Sequence, residues 1–376
     1  MTGSRFLVSA AHKSSGKTVV SIGLSACLAR QGQAVQPFKK GPDYIDPMWL
    51  SRATGRPCIN LDFRIQSRAE IRDSYQRYRA GAEIVIVEGN KGLYDGMDVA
   101  GSDCNAALAS HLNLPVLLVI DCAGVTRGIA PLLAGYQQFA RDFRIAGVIL
   151  NKVAGPRHEG KLVAAVERYT DLPVFGAIRR APELVIEERH LGLTPSNEYG
   201  AADSYLDTVA RVIGDSVDIS ALLAATRGGG TGATESAVGS ASEWPSVDVT
   251  VAIARDSAFG FYYPDDLEAF RRNGARVRFF DTLRDETLPP ADALFIGGGF
   301  PETHLDALSD NTALRQSIRE YIEAGGVAYA ECGGLMYLCR TLSYRGAKRE
   351  MVGVLPADVV MQERPVGRGY MKLQPT

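Results

Sequence analysis

The sequence predicts an α/β protein in two parts, a larger doubly wound and mostly parallel sheet followed by a smaller α/β unit. Three observations carry this. Apolar residues come mostly in short continuous blocks, as strands covered on both faces require. Helical spacing fills the intervals, giving repeated strand–helix–strand units. Between the parts lies Arg227–Ser242, RGGGTGATESAVGSAS, too poor in large apolar side chains to hold a fold and read as a flexible linker. The expected division is 1–226, a linker over 227–246, and 247–376.

In the first part, strands are expected at Phe6–Ala10, Ala34–Lys39, Ile84–Glu88, Val116–Asp121, Ala146–Asn151 and Pro173–Ala177. Thr18–Gln31 reads as a helix, with Val20, Leu24 and Leu28 on one face and Gly32 as its stop. In the second part, strands at Val247–Ala254, Arg276–Phe280, Ala293–Ile296 and Val327–Ala330 alternate with helices at Asp265–Arg272 and Thr303–Ala324. The net charge of −2 excludes nucleic-acid binding by bulk electrostatics. No apolar run nears the roughly 20 residues of a membrane span. Strand pattern begins at Arg5 with no secretory leader read before it, and six cysteines show no zinc-ligand spacing. A cytoplasmic protein without membrane or nucleic-acid partners is expected; a homodimer is allowed.

Chemistry-bearing residues fall at strand ends, where ligands of open α/β sheets bind. Ala11–Thr18, AHKSSGKT, links the first strand to the first helix and reads as a phosphate-binding loop, although Ala11 stands where the usual first glycine would be. Gly16 permits the turn, Lys17 reaches the β- and γ-phosphates of a nucleotide, and Thr18 can ligate Mg²⁺. Glu88 closes a buried strand as a second Mg²⁺ ligand should. Lys39 and the loop carboxylates Asp43 and Asp46 suit a transferring phosphoryl group and its metal. Asn151 ends a further strand, where its amide suits a purine edge or simply a turn.

Gly325–Gly334, GGVAYAECGG, is strand, sharp turn and helix start, the setting of an exposed nucleophile at Cys332. The Gly333 amide, with one from the Gly297–Pro301 loop at Gly299, would form an oxyanion hole. Leu335–Arg340 reads as the following helix, with Cys339 in it. Cys27 is likewise read as helical, and Cys58, Cys104 and Cys122 as small apolar residues. A thiol nucleophile is usually served by a histidine. Of His12, His111, His158, His190 and His304, none follows Cys332 and only His304 shares its part.

Together PFKKGPDYIDP, VEGNKGLYDG, ERHLGL, AFGFYYPDDLEAF, GGGFPE and AECGGLMYL resemble the cobyrinate a,c-diamide synthase family through essentially the whole chain. The resemblance implies an ATP-dependent amidoligase domain, related in fold to dethiobiotin synthetase, joined to a class I glutamine amidotransferase domain. Such enzymes use ATP, Mg²⁺ and L-glutamine to amidate the a and c acetate carboxylates of a tetrapyrrole polycarboxylic acid. Carried over by position, Thr18, Asp46 and Glu88 would hold metal, Asp43 would serve phosphoryl transfer, and Asp95 would lie near the substrate carboxylate. Cys332 would be the glutaminase nucleophile, and Arg189–His190 matches without an assigned role. The family's later histidine segment is not reached before GRGYMKLQPT, so an amidotransferase domain lacking its C-terminal portion is expected. PFKKGPDYIDPMWL and GRGY are also similar to a branch acting on sirohydrochlorin or sirohaem, and nickel-sirohydrochlorin enzymes are close relatives. Two other classes stand beside these: a P-loop switch ATPase, against which His12 stands in the signature-lysine position, and a regulatory protein with an inactive glutaminase.

Overall fold

Seven parallel strands make the sheet of the first unit: β1 (Ser4–Ala10), β2 (Val35–Lys40), β3 (Ile59–Leu61), β4 (Ile84–Glu88), β5 (Val116–Asp121), β6 (Ile145–Val153) and β7 (Val174–Arg179). Their order is β3-β2-β4-β1-β5-β6-β7. The computed structural model describes residues 3–139, 142–189, 192–228, 248–362 and 369–370. The chain divides into residues 1–187 with 201–238, and 188–200 with 239–376. Segment 188–200, which the sequence division keeps with the N-terminal part, thus packs with the second unit; its strands are β8 (Glu188–Arg189) and β9 (Gly192–Leu193). Most of the expected linker, from residue 229 onward, lies outside the described residues, as does Val247.

Continuous apolar runs do become doubly covered strands: Phe6, Leu7 and Val8 of β1 and Val116–Val119 of β5 are fully buried. The chain winds from β1 outward through β2 and β3, returns to β4, then crosses to β5. That reversal leaves a crevice at the carboxyl end of β1. Helix α1 (Lys17–Arg30) buries Val20, Leu24 and Leu28 as expected. Gly23 lets it approach helix Ala202–Ser216, because a Cβ there would stand 2.2 Å from Ile213. The three-residue β3, too short to show a period, was not expected.

The second unit has a parallel sheet β12-β10-β13-β15, where β10 is Thr250–Ala254, β12 Arg276–Phe280, β13 Ala293–Ile296 and β15 Val327–Ala330. A small antiparallel pair joins β11 (Phe259–Phe261) to β14 (Gly298–Gly299). Two sequence expectations are corrected here. Thr303–Ala324 is not one helix but a 3₁₀ turn and helices Leu305–Asp310 and Thr312–Glu323, broken where Asn311 accepts a hydrogen bond from Leu314 N at 3.3 Å. The helix after Cys332 spans only Gly333–Leu338, and Cys339 opens β16 (Cys339–Tyr344). Strand β16 pairs with β17 (Ala347–Glu350) and β18 (Leu355–Val360). Its hairpin turns at Arg345 and Gly346, with φ of 49° and 83°, the left-handed pair of a two-residue loop.

Candidate active sites

Pairing register builds the first site. Parallel neighbours Lys39 of β2 and Glu88 of β4 lie side by side, with Val8 of β1 opposite Glu88 on the other edge. The phosphate loop follows β1 directly, and α1 starts at Lys17. Thr18 Oγ1 donates to Glu88 Oε1 at 2.6 Å and to Asp46 Oδ2 at 3.2 Å. Lys39 Nζ pairs with Asp46, with Glu88 at 3.0 Å and with Asp43 at 3.6 Å. Five expected residues, from three stretches of sequence, therefore meet at one carboxyl edge.

Their electrostatics are interdependent. Burial pushes the Glu88 carboxyl up to about 7, against the pull of Lys39 and with the repulsion of Asp46. Burial likewise lifts Asp43 to about 6, helped by Asp46. Burial also opposes ionisation of Asp46, but Lys39, Thr18 and Lys17 outweigh it and hold that carboxyl below its ordinary range. For Lys39, the desolvation is overcome by Asp46, Glu88 and Asp43, so it stays charged; Lys17, desolvated and facing Lys39, is lowered.

Glu88 Oε2 is buried without a hydrogen-bond partner. With Thr18 Oγ1 and Asp46 it offers hard oxygen donors of the kind Mg²⁺ takes. Among the described residues no three His, Cys, Asp or Glu side chains converge into a cage. Asp95 is exposed on the loop after β4, its Oδ2 accepting from Gly92 N at 3.1 Å.

Asn151 is placed at the loop itself: its Nδ2 donates to Ser15 O at 2.8 Å, so that amide nitrogen braces backbone. Gly16 has φ of 89°, and a Cβ there would stand 2.1 Å from Asn151 Nδ2. Gly16→Ala must displace Asn151 and accept a left-handed backbone, costing about 2 kcal/mol in stability. The expected result is a lower melting temperature and weaker ATP binding in a nucleotide titration; unchanged values in both would contradict this geometry.

Residues that sequence reasoning passed over complete the scaffold. Fully buried Asn105 donates from Nδ2 to Ser9 Oγ at 3.1 Å, to Gly92 O at 2.9 Å and to Asn90 O, while its Oδ1 accepts from Asn90 N at 3.2 Å. Asn60 donates to Gly41 O and Asp43 O, both at 2.7 Å, tying down the carboxylate loop. No pattern in the sequence separates these asparagines from turn residues.

The second site is the thiol elbow. Cys332 has φ of 49° and ψ of −116°, a strained conformation for a non-glycine residue. Only small neighbours fit: a Cβ on Gly334 would stand 2.1 Å from Ile296 O, and one on Gly333 2.9 Å from Pro301. Burial raises the thiol's pKa, while hydrogen bonds from the Gly333 and Gly299 amides pull it down; Glu331 and Glu302 raise it further. The two expected amides are thus both felt by the thiol. Strand β14 is held by Tyr262, whose hydroxyl accepts from Gly297 N at 2.9 Å and donates to Ala254 O. Cys332 is the exposed one of the six cysteines; Cys58, Cys104, Cys122 and Cys339 are buried.

Among the described residues, three histidines have a neighbour at a ring nitrogen that can be named. His304 Nε2 lies 3.7 Å from Glu198 Oε2, within the second unit. His158 Nε2 contacts Val125 O at 2.5 Å, and His111 Nε2 contacts Arg68 O at 2.7 Å. His190 lies outside the described residues.

A parallel sheet with a phosphate loop, followed by a unit with a strained cysteine elbow, defines a nucleotide-binding glutamine amidotransferase. Comparison with known families agrees: residues 7–193 match the CobQ/CobB/MinD/ParA nucleotide binding domain, and residues 250–376 the CobB/CobQ-like glutamine amidotransferase domain. The chain is 46% identical to a cobyrinate a,c-diamide synthase of Magnetococcus marinus, over 99% of this chain and 80% of that protein. It is 39% identical to one of Methanosarcina acetivorans, over 96% and 78% of the two chains. A hydrogenobyrinate a,c-diamide synthase of Brucella ovis is 38% identical over 98% and 84%. The chain belongs to the cobyrinate a,c-diamide synthase family. Among the described residues no helix is long and apolar enough to cross a membrane.

Proposed function

We propose that this chain amidates the a and c acetate carboxylates of a cobyrinate-type tetrapyrrole, using ATP for activation and glutamine for nitrogen. A carboxylate does not yield to ammonia, because oxide would have to leave. Attack of a carboxylate oxygen on the γ-phosphorus, with ADP departing, gives an acyl phosphate. Ammonia then adds at the acyl carbon and inorganic phosphate leaves.

The supporting observation is the Thr18–Asp46–Glu88 oxygen set crossed by Lys39, at the loop that carries Lys17. Lys17 and Lys39 would neutralise the transferring phosphoryl group, and Asp43 would hold the loop that presents Asp46 through its bonds to Ile45 N at 2.9 Å and Asp46 N at 3.2 Å. Asp95 would stand beside the substrate carboxylate. Mg²⁺ would be held by Thr18, Asp46 and Glu88 and would supply charge neutralisation for phosphoryl transfer. Asn151 would steady the nucleotide loop from behind.

In the second unit, Cys332 sulfur would attack the glutamine side-chain carbonyl, expelling ammonia and leaving a glutamyl thioester that water hydrolyses to glutamate. The Gly299 and Gly333 amides, which pull the thiol's pKa down, would receive the oxyanion of that addition.

The test is an assay of the purified chain with Mg²⁺, ATP and either glutamine or ammonium, offering cobyrinate and sirohydrochlorin in parallel. Mass spectrometry is expected to show two successive amidations of cobyrinate. Amidation of sirohydrochlorin alone would move the substrate to the other branch, and ATP hydrolysis indifferent to either acid would reject the ligase reading.

A further inference from the structure

Lys39 and Lys40 end the same strand and face opposite ways, as neighbours on a strand must. Lys39 serves the carboxylate cluster. Lys40 is 6% exposed, and its ammonium donates to a neutral acceptor, Asn90 Oδ1, at 3.1 Å. Asn90 is itself fixed by Asn105. Burial lowers the Lys40 pKa even though Asp103 and Asp62 lie near enough to oppose the effect. A buried ammonium spending its hydrogen bond on an amide is suited to a further anionic partner.

The loop beside it is built unusually. Met97 N donates to Asp103 Oδ1 at 2.8 Å, Ser102 N to Asp98 Oδ1 at 3.1 Å and Gly101 N to Asp98 O at 3.2 Å. So braced, the loop has little freedom to tuck apolar side chains inward. Yet Met97 is 56% exposed and Val99 fully so, a few residues from Asp95. Arg64 joins the same surface through Asp103, at 3.3 Å. Cations at the base and apolar side chains at the tip match a flat apolar ring edged with carboxylates. They match neither a phosphate, which has no apolar face, nor glutamine, which has no ring.

We propose that Lys40, Arg64, Met97 and Val99 form the tetrapyrrole subsite. Lys40 and Arg64 hold peripheral carboxylates that are not being activated, and Met97 and Val99 lie against the macrocycle. This rests on the acceptor being a tetrapyrrole acid, as proposed above. The subsite orients the ring so that one acetate reaches Asp95, two residues before Met97 on the same loop.

The test titrates cobyrinate, by its own absorbance and without ATP, into the wild-type chain and into Lys40→Gln, Val99→Glu and Met97→Glu. Each variant is expected to weaken cobyrinate binding about tenfold or more, the size of a lost charged hydrogen bond or an opposed carboxylate. ATP affinity, titrated separately, is expected to stay within about twofold for Val99→Glu, whose side chain is fully exposed. Val99→Glu sits at an exposed tip and keeps the test valid if the buried Lys40→Gln misfolds. Wild-type binding with undiminished affinity in Val99→Glu and Met97→Glu overturns the subsite. Failure of the wild-type chain to bind cobyrinate while still binding ATP overturns the substrate assignment itself, a separate result.

Discussion

Glu88→Gln lowers turnover about a thousandfold or more with either nitrogen source, the scale on which a preorganised electrostatic group acts in phosphoryl transfer. The argument starts from position. Glu88 is fully buried at the end of β4, with one oxygen on Thr18 and Lys39 and the other without a partner. Glutamine keeps the shape but replaces one oxygen by an NH₂ donor, which repels both Lys39 and a cation. If activation precedes nitrogen transfer, as proposed, ammonium will not rescue it. Stability should move the other way. Burial raises the carboxyl from 4.5 to about 7, so its ionisation costs the folded state nothing below pH 4.5 and the full penalty above pH 7. Without nucleotide or metal, the variant's melting temperature relative to wild type is therefore expected to rise between pH 4 and pH 8. Turnover that survives with ammonium would remove Glu88 from the phosphoryl site.

The features legible in the sequence were those whose signal is local. Gly16, Lys17 and Thr18 are consecutive, and Lys39 and Glu88 close apolar runs, so strand ends and a helix start could be read directly. Their convergence followed from parallel topology, since neighbouring strand ends must meet at one edge. What escaped depends on partners far along the chain. Asn105 and Asn60 act through hydrogen bonds to backbone 13 to 19 residues away, and Tyr262 reaches 35 residues to Gly297. The Arg345–Gly346 turn was hidden because arginine seldom occupies a left-handed position, so the sheet of β16, β17 and β18 went unread and the helix expected over Leu335–Arg340 ran into the start of β16. The excursion of residues 188–200 into the second unit carries no compositional mark at all.

Cys332→Ala separates the two chemistries. Glutamine-supported turnover is expected to fall by several orders of magnitude, as when a covalent nucleophile is removed. Ammonium-supported turnover should hold within about twofold, since no residue of the phosphoryl cluster is shared with the elbow. Alanine is the right probe because it retains a Cβ. The backbone at φ 49° stays as strained as before, and the 3.3 Å approach of that Cβ to the position a Gly298 side chain would take is unchanged. What is lost is the sulfur, whose pKa the Gly299 and Gly333 amides lower. A glutamine-analogue electrophile gives a second readout that does not depend on turnover: it should label Cys332 and spare the buried Cys58, Cys104, Cys122 and Cys339. Equal loss of both activities in Cys332→Ala would mean that the thiol serves the ligase reaction directly, and the separation of nitrogen release from acid activation would be wrong.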